Sequence, residues 1–131
     1  MSRVEDVRIR GDYIGGHPDI PTPNSFGQIR ISRWNIQYRR GLWGLPFRYR
    51  DYVEVPMTQV TRVAREEVGN RSGWRNVVVG SDWDLIVQLE REHVSHQIRF
   101  RPRGANPGAK AAELEAAIKR FMADVPNAHP R

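Results

Sequence analysis

Only one stretch of this 131-residue chain repeats its apolar residues with a helical period, residues 107–124, and what precedes it alternates instead. Ala111, Leu114, Ile118 and Phe121, with Ala117 and Met122 beside them, recur at the three-and-four spacing of a single helical stripe. Asn106 is placed to cap the start, and Pro107 suits a first helical position because the hydrogen it lacks would be unpaired there. Lys110, Glu113, Lys119 and Arg120 populate the opposite, wetted side. A chain with one amphipathic helix and many short strands must use that helix to cover the strands' apolar face.

The strands follow from period-two alternation. Ile29 and Ile31 face one way with Arg30 opposite, residues 32–35 turn the chain, and Ile36 and Tyr38 resume the inward face with Gln37 and Arg39 outward, which is a hairpin. Residues 40–46 hold two glycines and a proline and read as an unusually apolar loop. Phe47 and Tyr49 against Arg48 and Arg50 open another strand that runs through Val53 and Val55 to Pro56. Val60 and Val63 anchor a fourth, and residues 69–73 form a glycine-rich loop. The run 76–79, the alternating Leu85, Val87 and Leu89, and the set Val94, His96, Ile98 and Phe100 complete the series.

Residues 1–24 hold a short strand near 4–9 and then three prolines and two glycines between positions 15 and 23, which suggests an extended N-terminal strap along a single domain at 25–131. About seven strands, near 26–100, followed by a helix at 107–123 imply an α+β architecture. In it a curled antiparallel barrel or sandwich is capped by one C-terminal helix, and loss of the chain from residue 108 onward is expected to leave it unfolded.

The absence of cysteine excludes disulfides and thiol chemistry. The charged N-terminus, with no apolar span, makes a cytoplasmic location the expectation, peripheral membrane attachment being the alternative. Nineteen Arg against two Lys give a net charge of +6, and between Asp19 and Asp51 there is no acid, while Arg30, Arg33, Arg39, Arg40, Arg48 and Arg50 all fall in that window. Arg30, Arg39, Arg48 and Arg50 are expected to project from one sheet face, either as a binding surface or as a solvated face neutralised by Glu54, Glu66 and Glu67. Trp43, beside Leu42, Leu45 and Arg40, gives the loop the composition of an association wedge; the other reading folds Trp43 back over the barrel mouth. Trp74 and Trp83 are either contacts or hydrophobic plugs.

His93 and His96 sit three apart in a strand pattern and point to opposite faces, so no metal site is assigned, and His17 reads as a hydrogen-bonding member of a tight turn. With no nucleophile elbow, phosphate loop or dinucleotide fingerprint, no enzyme activity and no cofactor are expected.

The element order, with Tyr13-x-Gly15-Gly16-His17-Pro18, the hairpin, Val53-x-Val55-Pro56 followed by Val60-x-x-Val63, and Phe100 before a helix, resembles the small bacterial domains of the pleckstrin-homology-like (PH/GRAM-like) superfold. That resemblance implies a seven-stranded bent barrel with a C-terminal helix that binds lipids, peptides or proteins and rarely catalyses. The expected function is therefore a non-enzymatic interaction module that binds a protein partner or self-associates. Its rivals are a peripheral binder of anionic membrane lipid, a small barrel holding a flavin or other small ligand, and, last, a nucleic-acid binder.

Overall fold

A computed structural model describes residues 6–42, 45–69 and 81–124, with backbone alone for residues 42 and 45–47. Seven strands form one antiparallel sheet in the order β4-β3-β2-β1-β7-β6-β5: β1 Val7–Gly15, β2 Asn24–Ile31, β3 Asn35–Leu42, β4 Leu45–Pro56, β5 Val60–Gly69, β6 Asp82–Arg91 and β7 Val94–Pro102. A single 3-10 turn, Met57–Gln59, links β4 to β5, and helix α1, Pro107–Ala123, ends the described chain. No ladder joins β4 to β5 among the described residues, so the sheet is curled but not closed. The α+β arrangement expected from the alternation is present.

Alternation decides the core. Ile29, Ile31, Ile36, Tyr38, Leu85, Val87, Leu89, Ile98 and Phe100 are all buried on the inner face, and Leu114, Ala117, Ile118 and Phe121 of α1 pack into them. Helix α1 lies mainly over β5, β6 and β7. Its large side chains each stabilise the fold by about 1.5–3 kcal/mol as an upper estimate. Pro107 holds the first helical position as its chemistry favours. Asn106 occupies the cap in the left-handed conformation (φ 55°) and makes no side-chain cap bond, so it starts the helix through its backbone shape, with Lys110 N–H donating to its carbonyl.

The expected strap at 1–24 is corrected by β1, which is the central strand, paired with β2 on one side and β7 on the other. Gly11 stands at an inward position of β1, where a Cβ would lie 2.7 Å from both Ile29 Cδ1 and the Arg101 carbonyl. Among the described residues of that stretch, 16–23 alone form a strap. It bridges the two halves of the sheet: Gly16 presses on β7, where a Cβ would fall 1.9 Å from Gln97 O, and Asp19 pairs with Arg91 of β6 at 2.7 Å. Tyr13 Oη donates to Ile20 O, Tyr52 Oη to Thr22 O at 3.1 Å, and Tyr38 Oη to Asn24 O at 3.0 Å.

Those phenols form an aromatic cluster with Phe100, ring centroids 5.9–6.3 Å apart. Burial pushes the Tyr38 hydroxyl up to about 12 and raises that of Tyr13. His17 is the buried residue of the strap, where its Nδ1 accepts from Asp19 N–H at 3.1 Å and its backbone N–H donates to Tyr13 Oη at 2.9 Å. Burial lowers its pKa, with Asp19 opposing in part.

Two further expectations change. The loop at 40–46 contracts, because β3 runs to Leu42 and β4 restarts at Leu45; Trp43 lies outside the described residues, as do Trp74 and the run 76–79. Val94 is 53% exposed because it directly follows a two-residue hairpin turn whose residues, Glu92 and His93, both have positive φ (53° and 67°). Trp83 behaves as a plug: its indole lies under Arg65, 5.7 Å from the guanidinium carbon, and against Gly108 in the first helical turn, where a Cβ would be 3.0 Å from Nε1.

Candidate interaction surface

The arginine window does not form the single positive face expected of it. Arg30 is on the outer face, donating to Asp6 at 3.0 and 2.6 Å and to Gln37 at 3.0 Å. Arg39 is on the same face with its Nε 3.1 Å from Asp51 Oδ1, although the N–H does not point at that oxygen and finds no other acceptor. Arg40 and Arg50 are paired across β3 and β4 on the inner side, Arg40 lying 6.0 Å over the Tyr52 ring, and Arg48 is exposed.

The cause is an extra residue in β4. Tyr38 pairs with Val53 but Arg39 pairs with Asp51, so Tyr52 is a bulge that turns its ring into the aromatic cluster and reverses the facing of the residues before it. Strict alternation from Val53 back to Phe47 would have placed Arg50 outward. Opposed like charges on Arg40 and Arg50 do not stabilise the hairpin.

What the outer face does present is Phe26. The β1–β2 register runs Gly11 to Gly27 and then Tyr13 to Asn24, so Ser25 and Phe26 together oppose Asp12. Phe26 adopts φ 62°, rare for a bulky residue, and its side chain is 71% exposed. Buried Asp12 locks this shape by accepting from Phe26 N–H at 2.9 Å and from Arg103 Nε at 2.6 Å, and the Arg103 guanidinium lies over the ring at 3.9 Å. Gly27 admits the Tyr38 ring beneath the bulge; a Cβ there would sit 2.3 Å from it. A strained, solvent-facing aromatic held by two charged partners adds little to the core, which makes it a functional candidate.

A second exposed aromatic, Trp34, 72% exposed, stands at the β2–β3 turn with the Arg33 guanidinium 5.0 Å over its ring. The turn is rigid. Ser32 Oγ accepts from the N–H groups of Trp34 (3.3 Å) and Asn35 (3.2 Å), Asn35 Nδ2 donates to Glu54 at 2.6 Å, and Met57 N–H donates to Trp34 O at 2.9 Å. Sequence reasoning passed over Phe26, Trp34, Asp12 and Arg103. A signal was available for two of them: Phe26 is a large apolar residue out of phase with Ile29 and Ile31, and Trp34 is one in a turn.

Elsewhere on the outer face, arginine is spent internally. Asp84, 1% exposed, accepts from Arg101 Nε (2.7 Å) and Nη2 (3.1 Å) and from Arg99 Nη1 (3.1 Å), while Arg99 Nη2 reaches Glu66 at 3.1 Å. The Asp84 carboxylate raises the Arg101 pKa. No family model and no curated protein matches the chain.

Proposed function

We propose that this protein is a non-enzymatic PH-like interaction module that binds a protein partner through the outer face of β2, β3 and β4. Seven antiparallel strands with one C-terminal helix packed on them are consistent with the PH-like resemblance, and the resemblance supplies the class of function. The observation that carries the reading is Phe26, exposed and left-handed on a bulge, with Arg103 and Asp12 fixing it in place. An aromatic fixed before contact loses little entropy on binding, which is how contact anchors gain affinity. The inner face is filled by side chains, with α1 packed on it, which weighs against an enclosed flavin or small molecule.

Capture from a lysate of the source cells, compared between the native protein and Phe26→Ser, tests this. A protein retained by the first and lost with the second is the expected result; identical captured sets would count against it. The rigid Trp34 tip with its stacked Arg33 favours a second reading, attachment to anionic membrane lipid. Binding to vesicles rich in phosphatidylserine that collapses as salt rises, and is lost in Trp34→Ser, would support that reading instead.

A further inference from the structure

The geometry points to a slot on the outer face that takes an aromatic side chain of the partner flanked by carboxylates. This rests on the interaction-module reading and adds the chemistry of the bound segment. Gln28 pairs with Arg39, so continuing that register two residues places Phe26 beside Gly41, and a Cβ on Gly41 would lie 3.3 Å from the Phe26 carbonyl. On its other side Gly41 pairs with Tyr49, which is half-buried. Residues 39, 41, 49 and 51 share one face, as the Arg39–Asp51 pair shows. Two rings therefore stand on β2 and β4 with bare glycine backbone on β3 between them.

Strand spacing sets the width. Two inter-strand steps separate the strands that carry Phe26 and Tyr49 by about 10 Å. A third ring placed midway would lie about 5 Å from each, inside the range in which aromatic pairs attract. An aliphatic side chain would fill the same space without those contacts. Arg103 closes the slot beyond Phe26, and Arg39 is one row along β3.

Arg103 donates through Nε to Asp12 at 2.6 Å, and Arg39 Nε lies 3.1 Å from Asp51 Oδ1 without pointing at it, so the terminal nitrogens of both have no hydrogen-bond partner among the described residues. Those terminal pairs are the part of arginine that holds a carboxylate by two parallel bonds. A nucleobase would also fit between two rings, but Asp6, Asp12, Asp51 and Glu54 interrupt the positive charge along this face, so a phosphodiester chain has no continuous track. An acidic segment with one aromatic residue matches both the slot and its rim.

The test is a titration of the full chain, followed by backbone amide shifts, with a short synthetic peptide holding one tryptophan between glutamates. Saturable shifts at Phe26, Gly41 and Tyr49 are expected, weakened at least about tenfold when alanine replaces the peptide's tryptophan and likewise in Gly41→Val, which fills the slot floor. Absence of shifts there, equal shifts with the alanine peptide, or tighter binding of oligothymidylate overturns the proposal. Lysate capture separates it from the parent reading. If Phe26→Ser abolishes capture while Gly41→Val and Tyr49→Ala preserve it, the slot is wrong and the module stands; if Phe26→Ser preserves capture, both fall.

Discussion

Asp84 and Asp12 are built from the same parts and do opposite things. Each is a buried carboxylate on the outer face of a strand paired on both sides, with arginine from β7 or its continuation. Around Asp84 three guanidinium hydrogen bonds close on one carboxylate and Arg99 Nη2 reaches Glu66, so two arginines meet two carboxylates and the cluster consumes its own charge. Around Asp12 one oxygen is shared between Arg103 and a backbone N–H, and the result is an aromatic ring held in water. Counting arginines therefore says little about where a partner docks. What matters is whether carboxylates on neighbouring strands are placed to take up every donor.

That contrast can be broken experimentally. Asp84→Ala should cost about 3 kcal/mol in urea-induced unfolding, because it strips the largely buried Arg101 of its carboxylate and leaves Arg99 with Glu66 alone. A loss no greater than that of a surface substitution would mean the cluster is decorative. Asp12→Ala should cost less, about 1–2 kcal/mol, since Arg103 is partly exposed and can reach solvent. The same variant should also release the Phe26 ring, seen as altered ring-proton shifts.

A milder perturbation acts on the strap that joins the halves carrying these two clusters. His17 has a folded pKa below its ordinary value of 6.5, so the folded state binds fewer protons there than the unfolded chain. Its contribution is fully present above about pH 6.5 and is lost as pH falls through the lowered folded pKa. Thermal stability should drop on mild acidification in the native protein and less steeply in His17→Gln; matching slopes would show that the buried imidazole is not the cause. Smallest of all, Phe26→Gly should change stability by no more than about 0.5 kcal/mol, because relief of the left-handed strain offsets glycine's extra chain entropy. A large loss in that variant would make Phe26 a structural residue after all.

The parts of the fold that alternate or repeat locally were legible in the sequence. The stripe Leu114, Ile118 and Phe121 marks α1, and Ile29, Ile31, Ile36 and Tyr38 mark a hairpin, because each residue's environment is set by neighbours two to four positions away. Illegible features depend on a partner far along the chain. The need for glycine at position 11 comes from Ile29 and Arg101, which press on it, and the facing of Arg50 depends on Tyr52 being drawn into a cluster with Tyr13, Tyr38 and Phe100. The candidate surface was legible only in outline: Arg39 lies on it, but Phe26 owes its exposure to Asp12 and Arg103, both remote in sequence.

The place of β1 in the middle of the sheet has a consequence for how the protein is made. One side of β1 is satisfied early by β2, but the other waits for β7, with Gly11 meeting Pro102 only after every other strand has been synthesised. A nascent chain therefore carries an open, hydrogen-bonding flank from the synthesis of β1 until β7 has been made, the kind of flank that recruits stray strands and chaperones.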